Sequence, residues 1–227
     1  DHVYRLTALP RAGETISSLG YALGLGGKGA NQSVAAARAG ASVLHLGAMG
    51  TGDGWVLDKL AAAGVGTGAI VRLDGVATGH AIILVDEGGE NSIILHGGAN
   101  HVLLGRDLAG IGPGDILMLQ NETNLQAETA ARARQAGARV IYSAAPFEIA
   151  PLRAVLPHVS ILAVNEVEAR DTFAAFGEDL PVEGMLITRG AEGAEYRDLR
   201  SGQVWHQPAF QVRAVDTTGA GDCFAGW

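Results

Sequence analysis

Short apolar segments alternate along the chain with longer stretches whose apolar residues recur at helical spacing. The Ala-rich residues 29–39 predict a helix, and Gly40 directly after them predicts its end. Residues 42–48, SVLHLGA, predict a strand, and residues 55–63 predict the next helix. Strands and helices in this order are typical of an α/β protein.

The alternation continues through the second half of the chain. Four apolar runs predict strands, and two amphipathic stretches predict the helices that connect them. The predicted strands span residues 115–119, 139–143, 161–164 and 185–188, and the predicted helices span residues 125–136 and a stretch that starts at Val167. This alternation predicts a mainly parallel central sheet with helices on both of its faces.

Two segments depart from this rhythm. Residues 3–23 contain short apolar runs without a helical pattern. Residues 79–85 and 92–95 predict two strands, and the turn residues 86–90 between them predict a hairpin. We expect these segments to pair into a small separate sheet. Such a sheet would form either a lid over the ligand edge of the main sheet or an extension of that sheet, and the pattern favours neither.

Composition excludes several classes of function. The 227 residues carry a net charge of −8 without a Lys/Arg cluster, which argues against a nucleic-acid surface. Cys223 is the single cysteine, so an internal disulfide and a Cys-rich zinc site are excluded. No apolar run is long enough to cross a bilayer, and we expect a cytoplasmic protein. Because the chain lacks an initiating Met and stops soon after a helix start, we also expect a fragment.

The strongest chemical motif is DTTGAGD, residues 216–222. Its small residues allow a tight turn whose N–H groups converge at the start of a helix near Ala220, and such a turn binds anions. Asp222 is unusual in an anion site because a carboxylate repels phosphate. Its presence is explained if it accepts the proton of an attacking hydroxyl group beside the phosphate. Otherwise Asp222 is an ordinary residue of the first helical turn.

A second glycine-rich motif is GLGGKGAN, residues 24–31. Three of its glycines fit a dinucleotide-binding pattern, but a poor preceding strand and the lack of a suitably placed acidic residue argue against that interpretation. A Walker A loop is excluded because Gly29 stands where Ser or Thr must follow the lysine. Lys28 and Asn31 in the first helical turn suit a ligand rich in hydroxyls or phosphates. Taken alone, a tight helix entry is the simpler interpretation.

Polar residues also follow the predicted strands, at the edge where α/β sheets bind ligands. Asn165 and Glu168 lie on one face of a first helical turn. They could position Mg²⁺–ATP through water, or Asn165 could cap the helix while Glu168 completes a capping box. Glu122 follows another strand, and Thr188 and Gly190 follow a third.

Together these motifs resemble the ribokinase family of carbohydrate kinases, also called the PfkB family. The resemblance covers nearly the whole chain in order, from Asp1 through PRAGET, GGKGANQSVAAARAG, GGENSIILHGGAN, LQNE and VNEVE to VDTTGAGD. It implies a ribokinase-like α/β fold with a kinase domain formed by residues 25–74 and 98–227. It also implies a small β lid, residues 1–24 and 75–97, through which a homodimer forms.

The resemblance further implies a role for each matching residue. Asp222 would be the catalytic base, and the amides of Gly219, Ala220 and Gly221 would form the anion hole. The remaining matches concern the sugar, the nucleotide and the cations. Sugar hydroxyls would be bound by Asp1, Gly27, Lys28, Asn31 and Glu122. Asn165 and Glu168 would organise the ATP phosphates and Mg²⁺, which Glu168 would bind through water, and Thr188 and Gly190 would contact the nucleotide. K⁺ would be bound by Asp216 and the backbone of Thr218.

The implied activity is transfer of the γ-phosphate of ATP to a primary hydroxyl of a small sugar, with Mg²⁺ and a monovalent cation as cofactors. Ribose is the first choice, and deoxyribose, fructose and nucleosides are alternatives within the family. A non-catalytic sugar or nucleotide sensor on the same fold is a second class, against which the intact glycine turn and Asp222 argue. A dinucleotide oxidoreductase is a third, supported by the glycines of residues 24–29 alone.

Overall fold

The structure is a computed structural model that describes residues 1–102, 108, 110–213 and 217–227. The chain divides into two compact units. The first contains residues 1–102 together with 226–227, and the second contains residues 103–225.

The first unit holds eight strands and two α-helices among the described residues. Their bounds are β1 His2–Arg5, β2 Gly20–Leu23, α1 Lys28–Arg38, β3 Val43–Leu44, β4 Gly47–Gly50, α2 Trp55–Ala62, β5 Val65–Gly66, β6 Ile70–Leu73, β7 His80–Val85 and β8 Asn91–His96. The predicted helices at residues 29–39 and 55–63 are confirmed to within one residue at each end.

Four strands of the first unit form a sheet of their own, in the order β2-β1-β7-β8. Strands β7 and β8 are the predicted hairpin, paired antiparallel from His80 opposite His96 to Val85 opposite Asn91. Strand β1 lies parallel to β7 and antiparallel to β2. The two irregular segments of the sequence therefore pair into one separate sheet, as predicted. The lid function of this sheet stays a prediction.

The predicted strand at residues 42–48 is divided into two short strands. Strand β3 pairs with β5 and strand β4 pairs with β6, so the segment changes partner near His45. The His45 ring lies 2.8 Å from the Ser33 hydroxyl of α1, and burial lowers the pKa of this histidine. The prediction of one continuous strand was wrong because the partner strands, which sequence cannot reveal, lie in two separate pairs.

The described part of the second unit contains six strands and four α-helices, of which the last, α6, ends at Gly226. Their bounds are β9 Ile116–Gln120, α3 Gln126–Gln135, β10 Arg139–Ser143, α4 Ile149–Val155, β11 Ile161–Asn165, α5 Glu166–Phe176, β12 Gly184–Thr188, β13 Ala194–Asp198, β14 Val204–Gln207 and α6 Ala220–Gly226. The six strands form one sheet in the order β14-β13-β12-β11-β10-β9.

Strands β9 to β12 of this sheet are parallel, as the alternating pattern predicts, and β13 and β14 continue it antiparallel. Helix α3 packs on β9 and β10, and helix α5 packs on β11 and β12. Along the central strands, apolar residues alternate little with polar ones, which is typical of strands that are buried on both faces of a sheet. Val140, Tyr142, Leu162, Met185 and Ile187 are all fully buried, and each contributes about 1.5–3 kcal/mol by burial of its side chain.

A buried serine links two of these strands at their beginning. The Ser160 hydroxyl, which is fully buried, accepts from Val140 N at 3.1 Å and from Arg134 Nη1 at 3.0 Å. In return, Ser160 N donates to Val140 O at 2.8 Å. The side chain thus satisfies a buried backbone donor that lies one residue before the β10–β11 pairing begins at Ile141.

Replacement of Ser160 by Ala removes this acceptor and leaves the buried Val140 N–H without it. We expect the free energy of unfolding to fall by about 1–3 kcal/mol, as measured by urea denaturation. Ser143→Ala, on strand β10 but half-buried, is the matched control and should change stability by less than about 0.5 kcal/mol. Equal effects of the two substitutions would contradict the role of the Ser160 hydroxyl.

Candidate active site

The parallel register of the second unit aligns the carboxyl ends of four strands. Gln120 of β9 pairs with Ser143 of β10, and Ser143 in turn pairs with Ala163 of β11. Asn165, the last residue of β11, pairs with Thr188, the last residue of β12. The residues that follow these strands therefore share one edge of the sheet, where open α/β sheets bind their ligands.

Asn165 and Glu168 form a complete capping box at the start of α5. Glu168 N donates to Asn165 Oδ1 at 2.8 Å, and Asn165 N donates to Glu168 Oε2 at 2.8 Å. The capping interpretation of this pair is thus confirmed, and it orients both side chains at the strand edge. A role in nucleotide binding is compatible with this geometry and stays a prediction.

Arg189, one residue beyond Thr188, joins the start of α5 to strand β13. Its Nη1 donates to Glu166 Oε1 at 2.5 Å, and its Nη2 donates to Glu195 Oε2 at 3.2 Å. The other oxygen of Glu195 accepts from Arg197 Nε. The hydrogen bond from Arg197, reinforced by the charges of both arginines, lowers the pKa of Glu195. These four residues form a chain of alternating charges beside the capping box.

The loop 189–193 closes tightly behind Thr188. Arg189 N donates to Gly193 O at 2.8 Å, and Gly193 N donates to Gly190 O at 3.1 Å. Gly193 has a φ of +103°, and a Cβ atom there would overlap Gln207 O of strand β14. Only glycine fits this position, because both the dihedral angle and the space exclude a side chain.

Glu122 lies in the loop after β9, which is tied to the loop after β10. Asn121 N donates to Ala145 O at 3.2 Å, and Asn121 Nδ2 donates to Pro146 O at 2.9 Å. Glu122 therefore lies at the same sheet edge as Asn165 and Thr188, and strand β10 separates β9 from the strands of those two residues.

The turn before α6 is described from Thr217 onward. Gly219 has a φ of +71°, and Ala220 N donates to Thr217 O at 3.1 Å, which closes the turn. Apart from its chain neighbours and the backbone of α6, no described atom lies within 4 Å of the position that a Cβ of Gly221 would occupy. Asp222 lies in the first turn of α6 and is half-buried. The predicted helix near Ala220 is confirmed.

In the first unit, Asp1 lies directly against the second glycine motif. Asp1 N donates to Gly24 O at 2.8 Å, and Gly24 N donates to Asp1 O at 3.0 Å. A Cβ atom on Gly26 would overlap the Asp1 carboxylate. The sequence gives no signal for this contact, because Asp1 and Gly26 are joined through the pairing of β1 with β2.

Helix α1 begins directly after this contact. Gly27, its N-cap, has a φ of +89° and no side chain to cap the helix. Lys28 and Asn31 lie in the first helical turn, as predicted. The structure therefore brings Asp1, Gly27, Lys28 and Asn31 together in the first unit.

The predicted site residues thus form two groups, one in each unit. The first unit contains the four residues named above, and the second contains Glu122, Asn165, Glu168, Thr188, Gly190, Thr218, Gly219, Ala220, Gly221 and Asp222. Asp216, predicted to bind K⁺, lies outside the described residues. The ion pairs of Arg189 with Glu166 and Glu195 were not predicted, because they follow from strand register.

The described residues contain no group of three or more His, Cys, Asp or Glu residues arranged to hold a metal ion. None of their helices has the length and apolar character that a bilayer crossing requires.

Comparison with known proteins extends over the whole chain. Residues 2–226 match the profile of the pfkB family carbohydrate kinases. The ribokinase of Haemophilus influenzae is 34% identical over 247 residues, which cover 100% of this chain and 80% of that protein. The deoxyribokinase of Salmonella typhi is 32% identical over 255 residues, with the same shares of both chains.

Solved structures give the same result for the fold. The crystal structure of a ribokinase from Cryptococcus neoformans in complex with ADP is 35% identical. It superposes with a TM-score of 0.82 and covers 99% of this chain and 81% of that chain. The predicted ribokinase-like α/β fold is therefore confirmed.

Proposed function

Because this chain belongs to the pfkB family of carbohydrate kinases, we propose that it transfers the γ-phosphate of ATP to the primary hydroxyl of ribose. The aligned strand ends of β9, β11 and β12, with their oriented polar residues, support this function most directly. Ribose is favoured by the ribokinase relatives, one 34% identical in sequence and one 35% identical among solved structures. Deoxyribose is the second candidate because a deoxyribokinase is 32% identical.

The nucleotide is bound, in this proposal, at the ends of β11 and β12. Asn165 and Glu168 hold the phosphate end, and Thr188 and Gly190 contact the nucleotide through a hydroxyl and open backbone. Glu168 is a suitable residue for the hydrated Mg²⁺ of Mg²⁺–ATP, since its carboxylate is a hard oxygen donor that the capping box keeps in place. When bound, Mg²⁺ neutralises charge on the phosphates.

The sugar hydroxyls are bound by Asp1, Lys28, Asn31 and Glu122, with the backbone of Gly27 approaching closely. Carboxylates accept hydrogen bonds from hydroxyls, whereas the lysine ammonium donates them and the asparagine amide does both. Side chains of these types are suited to the hydroxyl groups of a small sugar. The contact of the Asp1 carboxylate with Gly26 supports this assignment, because it places the acceptor beside the start of α1.

Asp222 accepts the proton of the primary hydroxyl as its oxygen attacks the γ-phosphorus. The bond from that phosphorus to the bridging oxygen breaks, and ADP leaves with the electron pair. The amides of Gly219 and Gly221 stabilise the charge on the transferred group. Because the Ala220 amide already donates to Thr217 O, its part is to close the turn.

The proposed function also includes a monovalent cation, a homodimer and a cytoplasmic location. Asp216 and the backbone of Thr218 form part of a site for a monovalent cation, K⁺. Two copies pair through the four-stranded sheet, supported by the exposed apolar residues Ile93, Ile94 and Leu95 on β8. We expect the enzyme to act in the cytoplasm, where ATP is available and the single cysteine stays reduced.

The substrate is tested by ADP release with ribose, deoxyribose, fructose and nucleosides, each with and without K⁺. We expect kcat/KM to be highest for ribose, because a site that binds a hydroxyl discriminates against the analogue that lacks it. Higher kcat/KM for deoxyribose would replace ribose by the second candidate. Absence of ADP release with every substrate, although ATP binds, would favour a sensor on the same fold.

The catalytic base is tested by Asp222→Asn. Loss of the proton acceptor should lower kcat by about 10²–10⁴-fold, whereas the affinity for ATP should stay unchanged. Single-turnover ADP release and ATP titration measure the two quantities. Asp179→Asn, an exposed carboxylate of the same unit, is the matched control and should leave kcat unchanged. Near-normal turnover of Asp222→Asn would contradict the assignment.

The sugar site is tested by Gly26→Ala. The added methyl group displaces the Asp1 carboxylate, so KM for the sugar should rise by roughly tenfold while KM for ATP stays constant. Gly24→Ala is the matched control, because, apart from its two chain neighbours, no described atom lies within 4 Å of the position that its Cβ would occupy. Equal sugar KM values for the two variants would exclude Asp1 as a sugar contact.

A further inference from the structure

Arg189 lies next to Thr188 in the chain and forms an ion pair with Glu166, which lies next to Asn165. Asn165 and Thr188 are paired in the parallel register of β11 and β12. Glu166 and Arg189 directly follow Asn165 and Thr188 in the chain, beyond the ends of the two strands, and their side chains form the 2.5 Å ion pair. The ion pair therefore connects the start of α5, which carries the capping box, with the loop 189–193.

The second partner of Arg189, Glu195, accepts from the other terminal nitrogen of the guanidinium. The Arg189 side chain is 20% exposed and that of Glu195 is 13% exposed, whereas Glu166 is 63% exposed. Glu195 is itself held by Arg197, whose guanidinium lies 5.8 Å from the centre of the Phe173 ring of α5. Arg189 is thus anchored on its buried side at β13 and reaches outward to Glu166.

We propose that Arg189 is a positioning residue for the nucleotide, which sets the spacing between the Asn165–Glu168 capping box and the Thr188–Gly190 segment. This inference rests on the proposed function, because it requires ATP to contact both segments. A guanidinium suits the task, since its planar fork donates to two carboxylates in fixed directions. Glu166 is the partner through which Arg189 acts on α5.

A simpler role for Arg189 would be attraction of the phosphates by its positive charge. The two roles make opposite predictions for Glu166. If charge alone mattered, removal of the Glu166 carboxylate would strengthen ATP binding, because a negative charge would disappear near an anion. If position matters, loss of either partner releases the same contact, and both substitutions weaken ATP binding.

The experiment compares Arg189→Gln, Glu166→Gln and the double variant by KM and Kd for ATP, and by KM for the sugar. We expect each single substitution to raise KM and Kd for ATP by about fivefold to tenfold, with sugar KM unchanged and kcat within about threefold. The double variant should be no worse than the more affected single variant, because both substitutions remove one shared interaction.

Two further variants separate position from charge and from general destabilisation. Arg189→Lys keeps the charge but cannot donate to Glu166 and Glu195 in the same fork, so it should restore ATP affinity only in part. Arg170→Gln removes the same charge from α5, where Arg170 is 71% exposed and pairs with Asp171 at 3.4 Å. This control should leave KM for ATP unchanged.

The positioning role is wrong if Glu166→Gln tightens ATP binding or if Arg189→Lys binds ATP with full affinity. It is also wrong if the losses of ATP affinity caused by Arg189→Gln and Glu166→Gln add in the double variant. Should Arg189→Gln fail to fold, Glu166→Gln still decides the question, because Glu166 is exposed and its loss leaves the anchor at Glu195 intact. Thr188→Ala distinguishes failure of the proposed nucleotide site from failure of the positioning role of Arg189. If Thr188→Ala leaves ATP affinity unchanged, the proposed nucleotide site fails; if it weakens binding while Arg189→Gln does not, only the positioning role fails.

Discussion

The parallel pairing of β9 to β12 is the constraint on which the candidate site depends. Because the strands run in one direction, the residues that follow each of them reach the same edge of the sheet. Buried side chains such as Val140, Leu162 and Met185 hold the strands together, and the Ser160 hydroxyl satisfies a backbone donor between them. The polar residues at the edge need not contribute to the stability of the sheet, since the burial of the apolar strands stabilises it.

Charges at this edge differ in how firmly the fold holds them. An exposed pair such as Arg170 with Asp171 contributes little, because water screens it and both side chains lose freedom. Arg189 is held on two sides and is mostly shielded from water, so its guanidinium keeps one position relative to β12. In the first unit, Gly26 has a comparable effect, because the absence of a side chain lets the Asp1 carboxylate approach the backbone. The Arg189 guanidinium and the Asp1 carboxylate are therefore both held by contacts with residues that are distant in the sequence.

Local patterns predicted most elements of the fold, and the failures have identifiable causes. Helix α3 was predicted at residues 125–136 and spans Gln126–Gln135, because its small and charged residues favour a helix by themselves. Strand β13, AEYRD, was missed because three of its five residues are charged, and it forms by pairing with β12. Helix α4, Ile149–Val155, was missed because seven residues including a proline give too short a periodic pattern.

By itself the sequence determined the family, through motifs in the right order, and those features that arise within a few residues. The capping box of Asn165 and Glu168 is of this kind, since a spacing of three residues brings both side chains to one helical turn. Only the tertiary structure decided that Arg189 meets Glu166, 23 residues earlier, and that Asp1 meets Gly26. Such contacts depend on which strands pair and in which register, and that choice is made by the packing of the whole sheet rather than by any one segment.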